Sequence, residues 1–522
     1  MGITFDQILS SYRPRKAIEE QYNASAGGAV TGLRDICILA EGLAAGTGSA
    51  NEVSDYFADA DAGVAFFGSG SFGAFMVRQA YRGGKLKGRV RGCFLTEPAG
   101  VAATGKVNFT TASTSSGTFS FNIAGALVVF SVESGTSVVD IAAAMVTAFN
   151  ELDVDAAPPC TAASAIQGAG PSYTATFTMG NKGVIGNFAP TYQIVTGLEP
   201  SGTTVLVDGV CFGLNTNTLG SVAGTLYPTL TTALSNLSTV ETPILVHAGF
   251  ETPDGSTKNA DLLLAHINTK CDGEHMMRGC VVTCLCTTVA LSVSWVAALD
   301  DSDAERYRTA SIPLNPATAS PGTWSMAMAC YVANAIAQQL DPAYPFANVA
   351  LPYAIAPPAS GDVLTNDEID TLIEGAVTPI QYDVKRQRNV LVIGIGSRLF
   401  SGKPQPWAVV DTTDYYRDLL LDNLEMAFPA GTKLAEDGET NLDENTVTPS
   451  GVLDVVHDTI FSEALRGKLR NREALWASAA AEIDAVREGQ VNFSVEHAVM
   501  MGLYVIAGKL RQRGGIIGQA AA

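Results

Sequence analysis

Basic charge is what this sequence has least of: 32 lysines and arginines stand against 52 acidic residues in 522, a formal charge of -20 at pH 7. That balance excludes general affinity for nucleic acid or anionic membrane and leaves an acidic exterior in a soluble particle as the default. The amino terminus, MGITFDQILSSYRPRK, lacks a basic stretch followed by an apolar core and a small-residue cleavage site. No secretory signal is therefore expected, and the chain should stay where it is made. Nine cysteines, an odd count spread along a long chain, fit free thiols in a reducing cytosol better than a disulfide framework. Internal repeats and low-complexity blocks are missing too.

Catalytic signatures are equally scarce. The histidines, His247, His266, His275, His457 and His497, fall in no H-E-x-x-H spacing, and neither a G-x-S-x-G elbow nor a P-loop occurs. A Ser-His-Asp triad is recognised by geometry rather than spacing, and nothing in the sequence points to one. His275 lies among Cys271, Cys280, Cys284 and Cys286, but a zinc site ordinarily presents its thiolates as a close pair on a turn. Cys284 and Cys286 instead share one face of an apparent strand that also holds Cys280, while Cys271 sits in another element. Buried structural cysteine is the expectation, with no metal and no cofactor. The uncharged run CVVTCLCTTVALSVSWVAAL, 280–299, has the length of a membrane span. Its Thr, Ser, Cys and Val content suits a buried strand leading into a short buried helix, so no membrane insertion is expected.

What the sequence does contain is layered patterning on a scale of two to four domains. Residues 1–26 are polar and irregular and read as an extended arm. RDICILAEG reads as a buried strand, SANEVSDYFADADAGVAFFG as a helix ending at glycine, and FGAFMVRQAY as a second helix. Between 99 and 200 the runs VNFTTAS, GTFSFNIAG, LVVFSV and YTATFTM alternate with period two, interrupted by the amphipathic VVDIAAAMVTAFNEL, which predicts an inserted β-rich domain.

From 201 to 360 strands (TPILVHAG, RGCVVTCLC) alternate with helices (TLTTALSNL, KNADLLLAHINTKC, WSMAMACYVANAIAQQL), predicting an α/β domain that rejoins residues 27–98 across the insertion. LPYAIAPPASGD, 351–362, reads as a connector. A carboxy-terminal α+β domain over 361–489 follows, opening with Thr365 and Glu368 at capping-box spacing. Its strands are IQYDVKR and NVLVIGIG, and its helices lie in TTDYYRDLLLDNLEMAF, GVLDVVHDTIFSEAL and REALWASAAAEIDAVREG. The strands VNFSVEHAV and GLYVIAGKL then form a terminal arm over 490–522.

GSGSFG, residues 68–73, spells the G-x-G-x-x-G fingerprint of a dinucleotide loop. Such a loop needs a strand before it, a helix after it and an acid about 20 residues on. Only the helix is expected here: the preceding segment looks helical, and Arg78, Arg82, Lys85, Lys87, Arg89 and Arg91 come before the first acid, Glu97. The better expectation is a turn between two helices in which Gly68 and Gly70 supply positive φ and allow close packing.

Charge and termini are more informative. From 460 onward eight basic residues stand against six acidic ones, reversing the sign of the whole chain. A second cluster is Lys385, Arg386 and Arg388. These runs are either solvated faces or a docking surface for an acidic partner. The polar amino-terminal arm and the carboxy-terminal strand with its RQRGGIIGQAAA tail are parts that strand donation to a neighbour's sheet edge would satisfy.

In this order the segments resemble the contractile-tail sheath proteins of bacteriophages, in particular the Mu-like type. ITFDQILSSYRPRKAIEEQYNAS is similar to the family's amino-terminal arm, with PRKA where members commonly have Pro-Gly and an aromatic. FFGSGSFGAFMVRQA matches its helix turn. AGVAATGKVNF, SGTFSFNIAG and DIAAAMVTAFN resemble its inserted β-domain, and LPYAIAPP, LTNDEIDTLIEGAVTPIQYD and KLAEDG followed by TVTP its approach to the carboxy-terminal domain.

The resemblance implies a subtilisin-like α/β sheath domain without protease activity, and a structural subunit rather than an enzyme. Such subunits polymerise as six-fold rings around a tail tube, between baseplate and tail terminator. They contract to drive the tube through a host envelope, in a virion assembled in the host cytoplasm; the sheath of a phage-like injection device is the alternative. It further implies donated arms, with Phe5, Ile8, Ile18, Val491, Phe493, Val495, Leu503 and Val505 as their apolar contacts and IQYDVKR with NVLVIGIG as a receiving hairpin. Lys385, Arg386, Arg388, Arg466, Lys468, Arg470 and Arg472 are then candidates to face an acidic tube.

Overall fold

The computed structural model describes residues 34–495 apart from 83–88, 98–99, 156, 167–172, 184–185, 187–190, 193–199, 204, 209–220, 223–229, 241–242, 248–258, 272–278, 285–287, 300–308, 311–320, 340, 342–343, 345, 353–362, 401–402, 441–442, 444, 466–468, 470 and 486–488. Residues 1–33 and 496–522 also lie outside the described residues.

The apolar run ICILAEG forms β1 (Ile36–Gly42), buried at every position. Seven residues buried on both faces need a sheet partner on each side and a helix layer above and below. The next segment departs from the sequence expectation. Only Ala60–Phe67 (α1) is helical; it starts at Asp59, whose carboxylate accepts the Ala62 amide at 2.9 Å, and ends at Gly68. Residues 51–57 are extended because a strand edge competes for them. The amides of Ser54 and Phe57 donate to the carbonyls of Gly92 and Val90, and Val53 bridges Cys93. After α2 (Phe72–Arg82) that strand, β2 (Val90–Thr96), pairs with β1 in parallel along its whole length, from Ile36↔Val90 to Gly42↔Thr96.

The chain then leaves for a separate β-rich unit. Its elements are β3 (Gly100–Phe109), β4 (Gly117–Ile123), β5 (Ala126–Val132), α3 (Val138–Asn150), β6 (Cys160–Ile166), β7 (Tyr173–Lys182), β8 (Thr191–Tyr192), β9 (Val205–Asp208) and β10 (Ser221–Val222). One antiparallel sheet runs β10-β3-β7-β6 with β9 on β3, and a second runs β5-β4-β8. The period-two alternation puts Phe109, Phe119, Phe121 and Phe130 into one aromatic cluster with ring centroids 5.4–6.2 Å apart. Helix α3, capped by Ser137, lays Ile141, Met145 and Phe149 over it.

The return segment supplies α4 (Thr231–Leu237), β11 (Ile244–Val246), α5 (Asn259–Cys271), β12 (Cys280–Val282), α6 (Val289–Ala297), β13 (Thr309–Ala310), α7 (Pro321–Ala337) and β14 (Ala347–Ala350). β11 takes the free side of β1 in parallel, Ile36↔Ile244 to Ile38↔Val246, and the sheet order becomes β13-β12-β11-β1-β2. Residues on either side of the insertion thus share one parallel sheet. Ile36, Ile38 and Ala40 face α2 and α7, while Cys37 and Leu39 face α4 and α5. The run 280–299 resolves into β12 and α6, the latter capped by Thr288. Among the described residues no helix is long and apolar enough to cross a membrane.

The last unit comprises α8 (Asn366–Glu374), β15 (Ile380–Asp383), β16 (Arg388–Ile393), β17 (Ile395–Phe400), β18 (Lys403–Pro406), α9 (Trp407–Ala427), β19 (Lys433–Leu434), β20 (Thr446–Val447), α10 (Pro449–Leu465), α11 (Arg472–Ser478), β21 (Ala480–Ile483) and β22 (Val491–Ser494). The capping box at Thr365 and Glu368 forms as its spacing predicts. The expected single helix over REALWASAAAEIDAVREG does not. It stops at Ser478, Ala479 is extended, and β21 pairs antiparallel with β22 from Ala480↔Ser494 to Ile483↔Val491. Alanine's helical preference is worth a few tenths of a kcal/mol per residue and loses to the ladder and the burial of the partner strand.

Candidate functional site

The GSGSFG segment is the turn between α1 and α2, with Gly68 at φ 85° and Gly70 at φ 83°. No strand precedes it. The amides at the start of α2 are committed inside the protein: Phe72 donates to Asn181 Oδ1 at 2.7 Å and Ala74 to Ser71 Oγ at 3.0 Å. Asn181 belongs to β7 and also donates through Nδ2 to the Gly42 carbonyl at 3.2 Å. The glycine turn is therefore the seat on which the inserted sheet rests against the parallel sheet. Close approach is borne out at Gly68, where a Cβ would lie 2.9 Å from the Gly46 amide nitrogen, but not at Gly70 itself. A Cβ on Gly70 would meet nothing within 4 Å, whereas one on Gly180 would lie 2.0 Å from the Gly70 carbonyl oxygen.

The proposed thiolate group is not assembled by the described residues. Cys280 is partly and Cys284 fully buried, while His275 and Cys286 lie outside the described residues and nothing is described of the Cys271 side chain. Among the described residues no group of three or more His, Cys, Asp or Glu side chains could hold a metal ion. Burial pushes the thiols of Cys37 and Cys93 up, which suits apolar packing and not nucleophilic work.

The basic candidates occupy two places. Lys385 and Arg386 sit on the exposed turn joining β15 to β16, where Asp383 accepts from the Lys385 and Arg386 amides and pairs with the Arg386 guanidinium at 2.7 Å. That guanidinium holds the Asp383 carboxyl below its ordinary range. Arg388 starts β16 opposite Asp383, half buried. Arg472 opens α11, while Arg466, Lys468 and Arg470 lie outside the described residues. The hairpin proposed to receive a strand is flanked more fully than expected. β16 is paired on both sides, by β14 and β15, so among the described residues an added strand would meet the outer edge of β15 or of β14.

Of the arm candidates, Val491 pairs with Ile483 in β21, and Phe493 and Val495 pack on the cluster of Tyr416, Leu420, Val456, Ile460 and Leu475. In the single chain these three residues lie against their own fold. Phe5, Ile8, Ile18, Leu503 and Val505 lie outside the described residues. Beside this hairpin, His457, Ile460, Phe461, Glu473 and Trp476 line a cleft of about 170 Å³ between α10 and α11. Trp476 is 37 % and Phe461 39 % exposed, an aromatic surface that sequence inspection did not single out.

Sequence inspection also missed the contacts made just before β1. Arg34, the first described residue, forms a bidentate pair with Asp411 of α9, both contacts 2.6 Å, both side chains about nine-tenths buried. Burial alone would lower the Arg34 guanidinium, but Asp411 outweighs it and holds Arg34 above its ordinary value. Its amide donates to the Ala337 carbonyl at the end of α7. The next residue, Asp35, takes Arg89 at 2.8 Å and the Tyr56 hydroxyl. The signal was a charged pair placed directly before a mostly apolar, wholly buried strand.

No family model and no curated protein sequence matches the chain. Among solved structures it is similar to a sheath tail protein of Desulfitobacterium hafniense at 11% identity, over 92% of this chain and 99% of that one, with a TM-score of 0.41. A sheath tail protein of Listeria innocua aligns at 13% identity over 91% of this chain and 94% of that one, TM-score 0.43. The anti-feeding prophage helical sheath in its contracted state aligns at 10% identity over 97% of this chain and 100% of that one, TM-score 0.47.

Two substitution results are expected. Gly180→Ala should cost roughly 3 kcal/mol in denaturant unfolding because backbone must move, and Gly70→Ala about 1 kcal/mol because only φ is strained. Arg34→Met should cost about 3 kcal/mol by stranding the buried Asp411 carboxylate, and Arg34→Met with Asp411→Leu should recover most of that loss.

Proposed function

We propose that the chain is a structural subunit of a contractile tail sheath. The observation that carries this is the order of family-like segments along nearly the whole sequence, from the arm through the glycine turn and the inserted β-unit to the carboxy-terminal strands. The fold supports it with a parallel sheet that accepts a β-rich insertion after β2. We assign 1–26 as the amino-terminal arm, 27–98 with 201–360 as a subtilisin-like α/β domain, 99–200 as the insertion, 361–489 as the carboxy-terminal domain and 490–522 as the second arm.

In this reading subunits form six-fold rings stacked on a tube, and contraction drives the tube through a host envelope. The hairpin of IQYDVKR with NVLVIGIG, through the outer edge of β15, is the receiving surface for a neighbour's arm. Main-chain hydrogen bonds of a donated strand can persist while the bodies turn. The turn carrying Lys385 and Arg386 and the region 466–472 face an acidic tube. Baseplate and tail terminator close the two ends, and the role is structural, not catalytic. A phage-like injection device would use the same subunit, and a capsid gene beside the tube and baseplate genes distinguishes the phage.

Electron microscopy of the concentrated purified protein should show rings or tubes, and a persistent monomer would count against the assignment. Deleting residues 1–20 or 496–522 should abolish those polymers while the remaining chain stays folded by circular dichroism; intact assembly would remove strand donation from the account.

A further inference from the structure

At the end of β1 the parallel sheet carries a carboxyl group where its pattern calls for an apolar side chain. Glu41 is completely buried, and neither carboxyl oxygen has a hydrogen-bond partner among the described residues. The residues before it on the same face, Leu39 and Cys37, belong to the apolar layer under α4 and α5. Burial first, and then the nearby Glu97 carboxylate, push Glu41 well above the ordinary glutamate range and favour the neutral acid. Glu97 is itself engaged, accepting from Lys182 Nζ at 2.9 Å and from the Lys182 amide at 3.3 Å.

Lys182 and Asn181 end β7, and Asn181 is the residue that holds the Gly42 carbonyl and the Phe72 amide. A buried acid, a second acid that already holds its own ammonium, and the seat of the inserted sheet therefore lie together at the end of β1. The titratable and charged groups on the surrounding elements are Cys37 on β1, Arg91 and Cys93 on β2, Glu52 on the segment covering β2, His247 after β11, and Asp261, His266 and Lys270 on α5. Burial lowers His247 and His266 to about 4 and pushes Cys93 up to about 12, which keeps all three uncharged in the folded chain near neutral pH.

We propose that Glu41, Glu97 and Lys182 form a proton-operated latch between the parallel sheet and the inserted sheet. With Glu41 neutral, Lys182 stays on Glu97 and Asn181 stays on Gly42. When Glu41 gives its proton to solvent, two carboxylates face one ammonium at a buried strand end. The charge is relieved when the end of β7 parts from β1 and water reaches Glu41. Opening releases one proton, so the junction is tightest below the ordinary glutamate range and loosens as pH rises, by up to about tenfold per pH unit while closed Glu41 keeps its proton.

Hydrogen exchange on the full-length protein, corrected for the intrinsic pH dependence of exchange, reads this at the Phe72 amide, with the Ala74 amide on its own Ser71 cap as internal reference. Between about pH 6.5 and 8.5, Phe72 protection should fall by up to about tenfold per unit in the parent chain. In Glu41→Gln it should be higher and flat. In Glu97→Gln, where Lys182 is free to pair with Glu41, the fall should level off at lower pH. A slope that survives in Glu41→Gln, or protection that does not vary with pH in the parent, overturns the latch. Should Glu41→Gln fail to fold, an unchanged levelling-off point in Glu97→Gln overturns it instead.

Discussion

A strand buried on both faces and paired on both sides is the constraint around which this protein is organised. β1 has no exposed residue, so its hydrogen-bonding groups must be met by β2 on one side and β11 on the other. Those partners come from parts of the chain about 150 residues apart in sequence order, and a whole β-rich unit is threaded between them. Such an excursion is tolerated because closing a longer loop costs only about 0.6 kcal/mol per doubling of its length. What the excursion does require is that its own sheets be satisfied and that it return to a defined place. The aromatic cluster does the first, and the Asn181 contacts with Gly42 and Phe72 do the second.

The legible parts of the fold were those whose local pattern and tertiary burial agree. ICILAEG, FGAFMVRQAY, the alternating strands of the insertion, the α3 helix and the Thr365 capping box all fall where periodicity and cap chemistry put them. Illegible parts were those in which a distant edge overrode a local preference. Residues 51–57 have helix-compatible spacing but lie along β2, and the alanines after Ser478 pair with β22. The surfaces were harder still. Arg34 meets Asp411 across 377 positions, a pairing no local window can reveal. The cleft at Trp476 exists only once α10 and α11 are brought side by side.

GSGSFG shows how a chemical signature and a geometrical one can share a spelling. Glycines suit a dinucleotide loop because backbone must approach phosphate closely; here backbone approaches backbone, at Gly180, and the helix amides that would hold an anion are filled by a side-chain amide and a serine hydroxyl. The contact pairs a glycine in each unit, which is why the fingerprint alone, seen on one side, looked like half of a ligand site.

The two residues before β1 have a mechanical consequence. Consecutive residues are pinned to different bodies: Arg34 to α9 by a two-pronged contact and to α7 by its amide, Asp35 to Arg89 and Tyr56 beside the parallel sheet. Tension applied at Arg34 is consequently divided between two parts of the fold. Peeling β1 away one hydrogen bond at a time is blocked, because the ion pairs at Arg34 and Asp35 must fail together before the strand feels the load. Load reaching Arg34 and Asp35 is therefore shared between α9, α7 and the parallel sheet, so the joint acts as a cleat rather than as a tether.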